Sequence, residues 1–225
     1  MIRLALFDID GTLIRTGGAG MAAFTLTGEQ AFGVRNGTSH MKFAGRTDTS
    51  LVREFLVSHN LETSEANFTR FFEHYLSILG NTLAAYQGAP CPGVTPFLDE
   101  LLALPQPPRI GLLTGNIRRG AEIKLRHYGL WERFEMGAYG DDHEDRNQIA
   151  HVALRRGREL LGSDLQPEEL LVVGDTPHDV ECGRAVGARV LAVATGGATH
   201  EALTETQPDC LVHDLTQAVA AEVCG

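Results

Sequence analysis

Two aspartates one residue apart, Asp8 and Asp10, close a short apolar run and are followed by Gly11 and Thr12. Two later apolar runs end in a similar way, in Thr114-Gly115-Asn116 and in Gly174-Asp175-Thr176-Pro177-His178-Asp179. Carboxylates at the ends of buried strands are costly unless something positive joins them, and neighbouring carboxylates raise one another's pKa. Mg²⁺ answers that need, because it takes oxygen ligands and bridges carboxylates to a substrate phosphate. Thr114 and the backbone N–H groups of Gly115 and Asn116, placed at a helix start, supply donors for an anion. A metal among carboxylates beside such an anion site is an arrangement for phosphoryl transfer. In that chemistry Asp8 is the nucleophile and forms an aspartyl-phosphate. Asp10 protonates the leaving oxygen and then deprotonates water. A cationic side chain must still hold the phosphoryl group. Arg146, at the start of the helix before the third run, offers two parallel hydrogen bonds to phosphate.

These residues converge only if the strands that carry them share one edge. Leu4 to Phe7 is continuously apolar, as a strand covered on both faces must be. Arg109–Leu113, Phe134–Ala138, Leu170–Val173, Arg189–Val193 and Cys210–Val212 read as further strands. Helical periodicity separates them, over Asn116–Tyr128, Gln148–Leu161 and Pro177–Val186, with a closing helix from Leu215. This alternation predicts an α/β fold with a doubly wound parallel sheet, whose carboxyl strand ends share a crevice. Between Met21 and about Tyr86 the pattern is helical only: Leu51, Val52, Phe55 and Leu56 share a face with Asp48 as N-cap. Phe68, Phe71, Phe72, Tyr75, Leu76 and Leu79 form a second stripe. Such a stripe is the core of a small bundle. Gly17, Gly18 and Gly20 before it, and Tyr86–Gly93 after it, read as connections. The expected division is 1–15 with 88–225 as the α/β core, and 16–87 as an inserted helical cap.

Composition excludes other classes. The net charge is −10, from 19 Lys and Arg against 29 Asp and Glu, which opposes binding to nucleic acid or to an anionic membrane. Cys91, Cys182, Cys210 and Cys224 are scattered, without the close pairs of a metal cluster or a disulfide framework. No apolar run reaches the roughly 18 residues of a membrane span. The expectation is a cytoplasmic protein, monomer or homodimer, acting on a small phosphorylated metabolite.

In their order and spacing the three runs resemble the first, second and fourth motifs of the haloacid dehalogenase-like superfamily of phosphohydrolases. The resemblance covers essentially the whole chain and implies a Rossmann-like core with a helical cap inserted after the first strand. It implies that Asp8 is nucleophile and Mg²⁺ ligand, and that Asp10 is acid/base and binds metal through its backbone carbonyl. It further implies that Thr114 binds phosphate, Asp175 binds the metal and Asp179 supports the metal shell. The third motif is more often lysine; here Arg146 takes that role. Caps of similar proteins present a basic residue to the substrate, which points to Arg46 in the loop Phe43–Asp48. An aspartate two residues after the nucleophile favours phosphate esters or phosphosugar mutation over carbon–halogen cleavage. The pattern looks most like phosphoglycolate phosphatases; the alternatives are a phosphomutase of the β-phosphoglucomutase kind and a non-catalytic binding scaffold.

Overall fold

The computed structural model describes all 225 residues. Its frame is a six-stranded sheet in the order β5-β4-β1-β6-β7-β8, every pair parallel. In chain order the strands are β1 (Leu4–Phe7), β2 (Ile14–Arg15), β3 (Ala89–Pro90), β4 (Arg109–Leu113), β5 (Met136–Ala138), β6 (Leu170–Gly174), β7 (Arg189–Val193) and β8 (Cys210–Val212). The helices are α1 (Ala19–Phe32), α2 (Asp48–Ser58), α3 (Glu65–Ala85), α4 (Val94–Ala103), α5 (Arg118–His127), α6 (Arg146–Leu161), α7 (Pro177–Ala185), α8 (His200–Glu205) and α9 (Ala220–Cys224). None is long and apolar enough to cross a membrane.

β1 lies at the centre, and its alternate side chains feed two different cores. Ala5 and Phe7 join Phe97, Leu101, Leu125 and Val223 from α4, α5 and α9. Leu4 and Leu6 join Ile149, Ala153 and Cys182 from α6 and α7. Both faces are covered, which is why the run is apolar at every position and not only at alternate ones. The helices start where capping chemistry sets them. Asp145 accepts the Asn147 N–H at the start of α6. Thr176 and Asp179 form a capping box at α7, with Pro177 in its first turn.

Several elements differ from the sequence reading. α5 begins at Arg118 and not at Asn116, because the chain bends at Gly115 and Asn116 and Ile117 is extended, its N–H held by Asp48 of the helical insert. Thr47, not Asp48, caps α2, its hydroxyl accepting the Ser50 N–H. Gly93 precedes α4, in the left-handed region. The last helix is broken into a 3₁₀ turn at Leu215–Gln217 and α9. The short antiparallel pair β2–β3 had no periodicity to reveal it. Residues 16–87 leave and rejoin the sheet through this two-strand neck. Arg15 ties the neck to the sheet edge by donating from Nε to the Thr195 carbonyl at 2.6 Å.

α1, α2 and α3 share their own core around Phe24, Phe55, Phe71 and Tyr75. The rings meet edge-on or tilted, Phe24 and Phe71 at 4.5 Å between centroids. Besides the neck, the start of α2 fixes this bundle to the sheet edge. The Asp48 N–H donates to the Gly115 carbonyl at 2.8 Å, and Thr49 Oγ1 to the Gly140 carbonyl at 2.7 Å. Thr47 Oγ1 donates to the Glu144 carbonyl at 2.9 Å, and Arg53 pairs with the Glu144 carboxylate.

Candidate active site

The three polar strand ends meet under the start of α2. Asp8 directly follows β1, Asp175 directly follows β6, and Asp179 stands one turn into α7. Their carboxylate oxygens lie within 4.8 Å of one another, and all three side chains are buried. Asp175 accepts from Thr12 Oγ1 at 3.0 Å and from the Gly197 N–H at 2.8 Å. The intervening turn needs glycine at position 11. Its φ is +91°, and a Cβ there would meet Asp175 Oδ2 at 2.5 Å.

Arg146 is the first residue of α6, so the Asp145 cap that starts the helix also aims the guanidinium inward. It pairs with Asp179 Oδ1, and its Nη2 lies 3.6 Å from Asp8 Oδ1. The nearby acids Asp142 and Glu144 pair instead with Arg156 and Arg53. Asp179 is satisfied on its other oxygen by the Thr176 N–H and hydroxyl, at 2.9 and 2.7 Å.

One guanidinium does not balance three buried carboxylates. Burial pushes the Asp8 carboxyl well up from its ordinary value; Arg146 pulls it down, while Asp179 and Asp10 raise it further. Asp175 is raised for the same reason, burial first and then Asp179 and Asp8. Burial opposes the charge on Arg146, yet the attraction of Asp179 and Asp8 outweighs it and lifts its pKa. An all-oxygen donor set with excess negative charge suits a hard cation. The cluster is therefore able to hold a metal ion.

Thr114 follows β4 and is buried. Its Oγ1 accepts the Asn116 Nδ2–H at 2.9 Å and the Asn116 N–H at 3.3 Å. The N–H groups of Gly115 and Asn116 thus sit in a loop and not in the first turn of a helix, which corrects the helix-start picture. The bundle presses close at Gly115, where a Cβ would run into the Arg46 carbonyl. Arg46 lines the same cavity, but its guanidinium is turned within its own segment, to Glu54 and to the Ser50 carbonyl.

Asp10 is not part of the carboxylate cluster by its side chain. Its Oδ2 accepts from Lys124 Nζ at 2.6 Å and from Asn116 Nδ2 at 2.9 Å. Lys124 was not singled out from the sequence, although a signal existed. It lies three residues from Ala121 and four from Tyr128, on the inward stripe of α5, where a charge is out of place. Asp48 was read only as a cap. It is buried, its Oδ2 accepts the Ile117 N–H at 2.8 Å, and burial pushes its carboxyl up to about 6 against the pull of Lys124. Asp8, Asp10, Asp48, Lys124, Arg46 and Arg146 line a single cavity of about 260 Å³ between the bundle and the sheet edge, with Phe24, Phe43 and Tyr75 on its apolar side.

The fold and site together are a doubly wound parallel sheet with buried acids at its carboxyl edge, roofed by inserted helices. Residues 5–193 match the family model of the haloacid dehalogenase-like hydrolases, and the chain belongs to that family. Two of its relatives cover nearly all of the chain. It is 28% identical to pyrophosphatase PpaX of Bacillus pumilus, over 97% of this chain and 95% of that protein. It is 25% identical to a phosphoglycolate phosphatase of Thiobacillus denitrificans, over 96% and 94%. The fold also matches CbbY of Rhodobacter sphaeroides, solved in complex with xylulose-(1,5)bisphosphate, with a TM-score of 0.76, 20% identity and 96% of each chain covered.

Proposed function

We propose that the chain is a Mg²⁺-dependent phosphatase that hydrolyses small phosphate monoesters through an aspartyl-phosphate on Asp8. The observation that carries this reading is the convergence, on one roofed cavity, of a buried carboxylate beside a guanidinium with a second carboxylate held apart from it. The named relatives act on phosphoglycolate and pyrophosphate, and a fold neighbour is known with a sugar bisphosphate, which supports a small phosphorylated substrate. Residues 16–87 act as the cap over that substrate.

Arg146 and the Thr114 hydroxyl flank Asp8 and hold the phosphoryl oxygens beside it. An Asp8 oxygen attacks phosphorus, and the bond from phosphorus to the ester oxygen breaks. Asp10 gives that oxygen its proton. Both contacts to Asp10 fall on Oδ2, so Oδ1 is left to carry the proton. Asp10 then takes a proton from water as the water oxygen attacks phosphorus, releasing phosphate and restoring Asp8. The carboxylates of Asp8 and Asp175 and the Asp10 carbonyl would hold Mg²⁺, with Asp179 behind them. The ion supplies positive charge against the phosphoryl oxygens. The docked start of α2 keeps bulk water away from the phosphorylated carboxylate.

The test is a phosphate-release panel of sugar phosphates, phosphoglycolate, nucleotides and pyrophosphate, with and without Mg²⁺. Asp8→Asn is expected to lower release by ~10³-fold or more and to abolish acid-stable labelling of the protein by ³²P substrate. Silence of the wild-type protein on the whole panel would defeat the reading. Label passing from Asp8 to a sugar phosphate and not to water would make the protein a mutase.

A further inference from the structure

We propose that Lys124 is a positioning residue for this reaction, fixing the Asp10 carboxylate in its working pose through a three-way junction with Asn116. The inference rests on the reading of Asp10 as proton carrier. Lys124 Nζ stands 2.6 Å from Asp10 Oδ2 and 2.6 Å from Asn116 Oδ1. Asn116 Nδ2 closes the triangle on the same Asp10 oxygen at 2.9 Å. The side chain of Asp10 is 43% exposed and that of Lys124 only 6%. A half-exposed carboxylate on a glycine-flanked turn would otherwise sample several rotamers. Two donors on one oxygen hold it to one and leave the other oxygen free.

Stability alone does not account for the lysine. Burying an ammonium costs several kcal/mol by the general scale for ions, and a well-packed apolar side chain in its place is commonly neutral or stabilising. The surroundings are shaped to admit the charge. A Cβ on Gly20 of α1 would lie 3.5 Å from Nζ. Asp48 from α2 and Tyr75 from α3 bear on the same ammonium. Residues from all three helices of the bundle thus come up to Lys124.

The test uses Lys124→Met, with Lys124→Gln as a polar variant of the same reach. The expected result is a kcat lower by ~10²-fold, the scale of general acid–base assistance, with KM moved less than about threefold. In an Asp10→Asn background either substitution should cost nothing further. An equal loss in both backgrounds would overturn the proposal. So would a kcat within about twofold of wild type in both variants. A readout without substrate separates this from failure of the phosphatase reading: side-chain NMR of Asp10 should report one rotamer in the resting wild-type protein and averaging in the variants. An Asp10 rotamer unchanged in the Lys124→Met protein would overturn the role of Lys124, whatever the panel of phosphate esters shows.

Discussion

Arg146 stands between two buried acids, and its removal tests what holds the site together before any ion binds. Arg146→Ala leaves Asp179, 1% exposed at its side chain, and Asp8 without their cation. Breaking a buried pair from one side costs about 3–5 kcal/mol. That loss is expected in urea unfolding at neutral pH with divalent ions chelated. The place of this arginine was legible because the sequence puts Arg146 at the start of the helix that precedes β6, and the structure brings it beside Asp8. Lys124 was not legible to the same degree. A lysine on an apolar stripe is normally read as reaching past it to solvent, and only the opposing helices show that it cannot.

Asp48 joins residue to element, because it fixes the start of α2 against the loop before α5. Its folded carboxyl titrates near 6, above the ordinary value of 3.8. The folded state therefore holds this proton more tightly than the unfolded chain does. The stability from this group is complete below about pH 4 and is lost as pH rises through 6, roughly 3 kcal/mol for two pKa units. Asp48→Asn is expected to remove that slope; urea midpoints at pH 4 and pH 7 for both proteins measure the difference. Gly115 tests the same seam by shape. Gly115→Ala thrusts a methyl at the Arg46 carbonyl and should lift α2 off the sheet edge. The expected outcome is a KM raised about tenfold or more, with a thermal midpoint within a few degrees of wild type, since only the seam loses contacts. Strong elements were readable because both-sided burial writes an unbroken apolar run, as in β1 and β6. The seam was not, because the Thr47 and Thr49 hydroxyls go to carbonyls, and the Asp48 carboxylate to an N–H, far away in sequence, and no local pattern encodes a distant partner.

At the scale of the molecule, surplus negative charge at the carboxyl edge sets how the protein answers a divalent ion. Mg²⁺ at one hundred times its dissociation constant is expected to raise stability by about 2.7 kcal/mol. The gain should shrink from pH 8 to pH 5, because burial raises the pKa of Asp8 and Asp175 and protons then compete for the same oxygens. Thermal unfolding with Mg²⁺ and with EDTA at both pH values measures this. The family and the sheet were legible from three motifs in order; the face that the bundle shows to the cavity was not, since its contacts cross between helices far apart in sequence. The neck of β2 and β3 has a consequence for descent. The bundle's aromatic core draws almost entirely on its own three helices, and the chain passes to it through four residues paired with one another. Substitutions around Phe24, Phe55 and Phe71 are thus insulated from the register of the sheet. A lineage can vary that bundle while the strand ends beneath it stay under separate selection.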